Sequence, residues 1–140
     1  MVTRKKAKKL TTPKVQAIVN AAIRRRDERC IIRDGRHECA GPLTASHFYS
    51  VGGNGCLRFY PWNIFTQCLG HHGIHERNQD PAFYHRWMMK YHADELEWME
   101  TVRGRVFKYD QETLHTIKHY AETDDLEHLA MFVRAALDCV

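Results

Sequence analysis

Histidine and cysteine are concentrated in one stretch of this 140-residue chain. From Ser46 to Glu76 the sequence reads SHFYSVGGNGCLRFYPWNIFTQCLGHHGIHE. The side chains in it that could do chemistry are those of His47, Asn63, Cys68, His71, His72 and His75. Neutral imidazoles and thiolates are good ligands for zinc and other divalent ions, whereas few structural roles need histidines so close together. The stretch therefore predicts metal binding.

One set of these residues has the character of a structural zinc site. Cys68-x-x-His71 has the spacing of a zinc knuckle, in which one tight turn presents two ligands to one ion. Cys30 and Cys39 would complete a tetrahedral set, although their separation is longer than is usual for paired zinc ligands. The alternatives to Cys39 are His37 and Cys56. The competing interpretation is that Cys30 and Cys39 are free thiols, since cysteine is often a small buried apolar residue.

The other set has the character of a catalytic metal site. His72 and His75 would share one face of a short helix, opposite a strand that carries His47. If His71 binds the structural zinc, the adjacent His72 is directed elsewhere and can bind a second ion. Glu76 is the alternative to His75, because it too shares a helical face with His72. The competing interpretation is that His72 and His75 are ordinary exposed helix residues in a chain with ten histidines.

Helices are predicted on both sides of this stretch. Thr12 and Pro13 indicate the start of a helix over residues 13–29, with Thr12 as the N-cap. Residues 30–46 have no helical period, and we interpret them as a loop. A short strand is expected at His47–Tyr49, with Leu57–Phe59 pairing back onto it. A short helix is expected from His71 to about Asn78.

The C-terminal part is predicted to be helical throughout. Asp80-Pro81 would open a helix whose apolar face carries Phe83, Trp87, Met88 and Tyr91. Further helices are expected over Glu95–Val102, closed by Gly104, and after the capping residue Asp110. The last predicted helix carries Leu126, Leu129, Ala130, Val133 and Leu137.

Charge is unevenly spread along the chain. Residues 1–29 hold ten lysines and arginines against two acidic residues, whereas residues 94–140 hold five against eleven. A basic end of this kind favours a polyanionic partner, for which the competing interpretation is a solvated tail. The candidate DNA-binding residues are Arg4, Lys5, Lys6, Lys8, Lys9, Arg24, Arg25, Arg26 and Arg58. The three consecutive arginines also suit a helix C-terminus.

Composition narrows the class of protein. Hydrophobic residues at 44% and charged residues at 27% are ordinary for one soluble domain. No apolar run approaches the roughly 20 residues of a membrane span, and no apolar segment follows the basic N-terminus. The five cysteines are an odd number, which argues against a disulfide framework. We expect a cytoplasmic protein without membrane partners.

The motif Asn63-x4-Cys68-x2-His71-His72 resembles the N-x4-C-x2-C-H core of the HNH endonucleases, also called ββα-metal or His-Me finger nucleases. His47 occupies the position of their first histidine. The segments 45–48 (ASHF), 58–63 (RFYPWN) and 78–84 are more closely similar to phage NinG/Rap-type recombination nucleases. This resemblance covers about residues 30–92.

Three departures from that pattern are notable. Arg33 stands where the family has the second cysteine of its opening C-x2-C. His71 replaces a cysteine of the later knuckle, which is an acceptable change of zinc ligand. Ser46 stands where many HNH enzymes have an aspartate or histidine metal ligand.

The resemblance implies an α+β, mostly helical fold, with a small zinc-stabilised ββα-metal core flanked by helices. The expected organisation is a basic flexible arm over residues 1–12 and one nuclease domain over 13–140. The domain would consist of the helix 13–29, the zinc and ββα-metal core 30–79 and the helical part 80–140. It would lie in the bacterial host cell of a phage.

The implied activity is hydrolysis of DNA phosphodiester bonds with one catalytic ion, which leaves a 5′-phosphate. Branched recombination intermediates are the possible substrates. His47 would be the general base, Asn63 would orient it, and His72 and His75 would hold Mg²⁺ or Mn²⁺, with Zn²⁺ and Ni²⁺ as alternatives. Arg58 would clamp a phosphate. A non-catalytic, zinc-stabilised DNA-binding module and a purely structural zinc protein are the competing functions. Because junction enzymes often act as dimers, a homodimer is a further expected partner.

Overall fold

The computed structural model describes residues 8–76 and 80–140, apart from the side chain of Glu76. These residues form an α+β, mostly helical structure, as predicted. In chain order its elements are α1 (Thr12–Asp27), β1 (Leu43–His47), β2 (Ile64–Cys68), α2 (Leu69–Glu76), α3 (Phe83–Tyr91), α4 (Ala93–Val102), α5 (Gln111–Glu122) and α6 (Leu126–Asp138). None of the described helices is long and apolar enough to cross a membrane. The predicted flexible arm falls mainly on residues 1–7, which lie outside the described part of the chain.

Helix α1 forms because capping and hydrophobic spacing agree. The N-cap is Thr11, not Thr12 as predicted, and its side chain accepts a hydrogen bond from the Lys14 amide. Pro13 lies in the first turn, where its missing N–H costs no hydrogen bond. The helix ends at Asp27, two residues before the predicted end, because Glu28 adopts a left-handed conformation with φ 62°. Its buried face consists of Val15, Val19, Ala22 and Ile23.

The sheet contains two antiparallel strands, and it differs from the prediction. Leu43 pairs with Cys68 at one end and His47 pairs with Ile64 at the other. The predicted second strand over Leu57–Phe59 is wrong, because residues 55–63 form two short 3-10 turns, the second opened by Pro61. The loop predicted over residues 30–46 and the strand over His47–Tyr49 are also wrong in part, since β1 occupies Leu43–His47. Helix α2 begins directly after β2.

The C-terminal helices complete the core. The helix predicted to open at Asp80-Pro81 begins only at Phe83, because residues 80–82 form a turn in which the Phe83 amide bonds the Asp80 carbonyl at 3.2 Å. On α3 the buried residues are Tyr84 and Met88, whereas Tyr91, predicted to be on the apolar face, is 57% exposed. Asp110 caps α5 as predicted, and the five predicted apolar residues of α6 are all buried. Helix α1 packs against α5 and against both strands.

Candidate metal centre and candidate active-site cleft

The end of β2 and the start of α2 form a tight turn against the preceding loop. The Leu69 amide bonds the Pro42 carbonyl and the Gly70 amide bonds the Ala40 carbonyl, both at 2.9 Å. A Cβ atom at Gly70 would lie 3.3 Å from the Ala40 carbonyl oxygen, so a larger residue there would crowd the loop. This turn therefore holds Cys68 and His71 beside the loop that carries Cys39.

Four predicted zinc ligands come together at this turn. The three sulfur atoms lie 3.8, 3.8 and 3.1 Å from His71 Nδ1, for Cys30, Cys39 and Cys68 respectively. All four ligand atoms lie within 4.8 Å of one another. A tetrahedral zinc with bonds of about 2.0–2.3 Å separates its ligand atoms by roughly 3.5–3.8 Å. The side chains fit such an ion, so the cluster could hold a structural metal.

The alternatives to Cys39 lie elsewhere. His37 is exposed and bonds the Asp34 carboxylate at 2.7 Å through Nδ1. Cys56 is buried and donates to the Val102 carbonyl at 3.5 Å. Cys39 itself is exposed, so the cluster has one ligand at the protein surface.

The pKa values of two cysteine thiols in the cluster are shifted in opposite directions. Burial opposes ionisation of Cys68, but hydrogen bonds from the His71 and Ala40 backbone outweigh it and lower the pKa of Cys68 to about 6. Burial raises the pKa of Cys30 to about 12. Cys68 is therefore the thiol prepared to bind as thiolate, while Cys30 needs the charge of a bound cation to ionise.

Asp34 supports the cluster, and the sequence did not predict this. Its Oδ1 lies 3.3 Å from His71 Nε2 and accepts from the amides of Arg36 and His37. A carboxylate on the second nitrogen of a metal-binding histidine fixes the ring and its tautomer. Despite partial desolvation, the bonds from His37 and Arg36 lower the pKa of Asp34. Its position between two predicted ligands was the only signal available in the sequence.

A separate cleft of about 220 Å³ brings the predicted catalytic histidines together. The histidines in its lining are His47, His72 and His75. Its other lining residues are Ser46, Phe48, Ser50, Gln67, Pro81 and Tyr84. Tyr84 closes one side by donating its hydroxyl to the Ser46 carbonyl at 2.7 Å. Ser46 is 4% exposed and has no acidic or imidazole group to offer an ion.

His47 is held by one ring nitrogen. Its Nε2 lies 2.9 Å from the Arg58 carbonyl oxygen, so Nε2 carries the proton and donates it. The neutral ring then has its lone pair on Nδ1. Burial lowers the pKa of His47 below its ordinary value of 6.5, which keeps the ring neutral near pH 7. The geometry leaves Nδ1 able to accept a proton.

Asn63 lies outside the cleft lining and shapes the loop behind it. It is fully buried, and its Oδ1 accepts from the Tyr49 amide at 2.8 Å. Its Nδ2 donates to the carbonyls of Tyr49 and Leu57 at 3.1 and 3.2 Å. Asn63 thus ties the residues after His47 to those before Arg58, and it does not bond the His47 ring itself.

His75 has a close partner and an unpaired atom. Its Nδ1 lies 2.6 Å from the side-chain amide nitrogen, Nε2, of Gln67. Gln67 is a second residue of the site that the sequence did not predict, because a polar residue inside a strand carries no distinguishing signal. Among the residues that the structure describes, the buried His75 Nε2 and Gln67 Oε1 have no hydrogen-bond partner. Burial also lowers the pKa of His75. Buried polar atoms without partners indicate a place for a bound group.

No second metal cluster is evident among the described residues. The zinc-type cluster is the one group of three or more histidine, cysteine or acidic ligands found there. The side chain of Glu76, the alternative ligand to His75, lies outside what the structure describes.

Most of the predicted DNA-binding residues in α1 have structural roles. Arg25 pairs with Asp124 at 2.8 Å. Arg26 bonds Asp27 and the carbonyls of Pro61 and Ile64. These side-chain bonds of Arg25 and Arg26 join the end of α1 to the sheet and to the turn before α6. For Arg24 the structure shows a backbone bond alone, in which its carbonyl accepts from the amide that caps the helix.

The other predicted DNA-binding residues are placed differently. Arg58 donates through Nε to Gln16 at 3.1 Å, and the His47 cleft is not lined by its side chain. Lys8 and Lys9 are exposed. Arg4, Lys5 and Lys6 lie outside the described residues.

Comparison with known proteins gives one match. The model of a family described as Bacteriophage Lambda NinG protein matches residues 2–128. No curated protein and no solved structure matches significantly.

Proposed function

The chain belongs to the family of the bacteriophage lambda NinG protein, and from this premise we propose that it is a metal-dependent DNA endonuclease of the HNH type. The family relationship suggests a recombination-related phage protein. The proposed reaction is hydrolysis of a phosphodiester bond, and the proposed substrates are branched recombination intermediates.

The single observation that carries this proposal is the setting of His47. Its Nε2 is committed to the Arg58 carbonyl, and its ring lines the same cleft as His72 and His75. A neutral imidazole with one nitrogen anchored and the other able to accept a proton has the arrangement required of a general base. In the proposed reaction His47 Nδ1 takes the proton of the attacking water.

Asn63 would act as a positioning residue. It bonds both backbone groups of Tyr49 and the Leu57 carbonyl, so it fixes the two ends of the loop that bring His47 and the Arg58 carbonyl together. Pre-organisation of this kind keeps a base in the geometry that the reaction needs.

His72 and His75, with Glu76 as the alternative to His75, would hold the catalytic ion. When bound, it would stabilise charge on the scissile phosphate and on the leaving 3′ oxygen. The unpaired His75 Nε2 fits such a ligand. While the Gln67 amide nitrogen donates to His75 Nδ1, the neutral ring keeps its proton on Nε2. Metal binding through Nε2 therefore requires the Gln67 side-chain amide to turn its oxygen toward the ring, which gives up the bond that its nitrogen donates to the Ile32 carbonyl at 3.0 Å.

The test compares His47→Ala with His115→Ala on plasmid and on four-way junction DNA, in Mg²⁺, Mn²⁺, Ni²⁺ or EDTA. His115 is an exposed histidine of α5 and serves as the matched control. We expect His47→Ala to lose about 10²–10⁴ in cleavage rate with DNA affinity within a few-fold of wild type. Because burial lowers the pKa of His47, wild-type cleavage should be constant near pH 7 and fall only in acid. Cleavage by His47→Ala at the wild-type rate would refute the assignment.

A zinc-stabilised DNA-binding module without catalysis is the second candidate. The observation that favours it is Ser46, a buried residue that is a poor metal ligand at a position where HNH enzymes often have an aspartate or histidine. This alternative predicts DNA binding by the wild type but no cleavage in any of the three metals.

A further inference from the structure

Helix α3 has a basic and aromatic face, on which the half-buried Phe83 and Trp87 pack against the edge of the core and the charged side chains are exposed. Phe83, Arg86, Trp87 and Lys90 are spaced as one helical face, and Tyr91 lies beside them. The opposite face of the helix buries Tyr84 and Met88. Tyr84 lines the His47 cleft, so one face of α3 forms a wall of that cleft.

On that other side is a second cleft of about 530 Å³. Its far wall comes from the segment that follows α1 and includes Arg29, Ile31 and Arg33. Its near wall is the basic and aromatic face of α3. The volume is in the range of ligand sites that hold a small organic group such as a nucleotide.

The charge of this cleft is strongly positive. Its lining includes four cationic side chains, Arg29, Arg33, Arg86 and Lys90. Asp34 is the one acidic residue of the lining, and its carboxylate is already bonded to His37 and His71. Of the four cations, Arg86 pairs with Asp80 at 2.8 Å. The surplus positive charge favours an anionic ligand such as a phosphodiester backbone.

The aromatic groups of this cleft are arranged for stacking. Tyr91 is 57% exposed, and its ring is braced by Trp87, whose ring centroid lies 5.3 Å away. Trp87 is held in turn by an edge contact with buried Phe65 at 4.8 Å. The Lys90 amino group lies over the Tyr91 ring, 5.1 Å from its centre. Since the lysine side chain is long and flexible, it can move to a phosphate and leave the exposed Tyr91 ring for a nucleobase to stack on.

The two clefts are in contact through aromatic rings. Phe83, which lines the basic cleft, stacks on His75, which lines the His47 cleft, at 4.6 Å between centroids and 17° between planes. A nucleic-acid strand bound in the basic cleft would therefore lie next to the proposed catalytic residues.

We propose that this cleft binds an unpaired segment of DNA, with a base stacked on Tyr91 and phosphates near Arg29, Arg33 and Lys90. In duplex DNA the base faces are covered by their neighbours, so an aromatic platform is useful only to an unpaired strand. The inference rests on the proposed function in that the unpaired segment belongs to the DNA that the His47 cleft would cut. It predicts a preference for branched or gapped DNA over plain duplex.

The test measures binding without cleavage. Fluorescence anisotropy of the full-length, zinc-loaded protein would be followed with labelled oligothymidylate of about ten nucleotides and with a labelled duplex hairpin, without added divalent metal. The variants are Tyr91→Ala, Tyr91→Phe and the control Met89→Ala, since Met89 is also 57% exposed on α3 but does not line the cleft. Melting temperatures would show that each variant is folded.

We expect Tyr91→Ala to weaken oligothymidylate binding by about 5- to 150-fold, since base stacking on one aromatic ring has that effect. Tyr91→Phe and Met89→Ala should bind as the wild type does, and hairpin binding should change little in all three. Unchanged oligothymidylate binding by Tyr91→Ala, or an equal loss on both DNAs, would overturn the inference. Normal oligothymidylate binding in a protein that cleaves nothing would reject the nuclease and leave this inference standing.

Discussion

At the residue scale, His71 joins the candidate metal centre to the loop that precedes it. One ring nitrogen lies among the three sulfurs and the other faces the Asp34 carboxylate. The carboxylate fixes which nitrogen is available to the metal and makes the ring a more basic ligand. The zinc affinity of the centre should therefore depend on a residue that does not touch the ion.

Replacing Asp34 by asparagine tests this dependence. Asparagine keeps an oxygen for the amides of Arg36 and His37 but removes the charge that faces His71. We expect zinc affinity, measured by chelator competition, to fall by about tenfold, at the lower end of what loss of such a partner costs. Cys68→Ser removes one of the four ligands, so it would show the signal expected when zinc binding is lost.

Asp125→Asn is the matched control for this experiment. Asp125 also accepts from a backbone amide and contacts a histidine, His128, at 2.8 Å, but it is not among the residues of the metal cluster. Its variant should keep wild-type zinc affinity. If Asp34→Asn also kept wild-type zinc affinity, the role of Asp34 would be limited to bonding the Arg36 and His37 amides of its own loop.

Residue types and spacing were sufficient to predict the four clustered ligands, but not to choose among alternatives. Cys68 and His71 are separated by only two residues, so the spacing alone predicts that one turn brings them together. The choice of Cys39 over His37 depends on how the loop folds, and that is set by Asp34, which bonds His37. Such a choice depends on tertiary contacts that spacing does not encode.

At the scale of elements, the loop between the two strands is as important as the strands. Residues 48–63 contain two 3-10 turns, and they supply the carbonyl that anchors His47. Asn63 satisfies three backbone groups of this loop from a fully buried position. Removing its amide would leave those groups buried without partners, at a cost of about 1–3 kcal/mol for each unsatisfied group.

Asn63→Ala should therefore reduce both stability and cleavage. We expect the free energy of unfolding to fall by at least about 3 kcal/mol, about 1 kcal/mol for each of the three unsatisfied groups, measured by urea denaturation of the zinc-loaded protein. Cleavage at a temperature where the variant is folded should also fall, because the His47 anchor is no longer fixed.

Asn54→Ala provides the comparison within the same loop. Asn54 is only partly buried, and its side chain donates a single bond to the Ser50 carbonyl at 3.3 Å. Asn54→Ala should therefore lower the free energy of unfolding by much less than Asn63→Ala does. Equal stability of the two variants would show that the loop does not depend on Asn63.

Prediction of elements succeeded where hydrophobic period and caps agreed. Helix α6 and the Asp110 cap of α5 follow directly from the sequence. The strands were harder to predict, since Leu57 and Phe59 are fully buried in a turn rather than in a strand, and short apolar runs do not distinguish the two. The β1–β2 pairing lies between residues about twenty apart and depends on the loop that Asn63 holds.

At the scale of the whole molecule, the family relationship extends beyond the segment whose motif resembles a nuclease. The resemblance in sequence covered about residues 30–92, whereas the family match covers residues 2–128. The structure gives a physical reason for this wider extent. Helix α5 packs against α1, and Gln111 of α5 bonds both backbone groups of Leu10 at 2.8 Å. The helices and the root of the basic arm thus form one unit with the core.

Deleting residues 2–9 tests the function of the arm, because the Leu10 anchor to Gln111 remains. The deleted segment carries Arg4, Lys5, Lys6, Lys8 and Lys9. Each phosphate contact contributes about 0.9 to the slope of log affinity against log salt on duplex DNA. We expect weaker binding to plasmid, junction and hairpin DNA alike, and a salt slope lower by about one to four units. Anisotropy titrations across a range of salt concentrations would measure both.

Zinc content and turnover at saturating DNA should be unchanged by the deletion, since the arm contributes no described group to either cleft. The control is a full-length variant in which residues 2–9 are scrambled. A tether that acts only through its charge should tolerate scrambling, because counterion release depends on how many phosphates are neutralised and not on the order of the cations. If the deletion changed which DNA structure is cut, or if scrambling had the effect of deletion, the arm would be reading DNA structure through specific contacts.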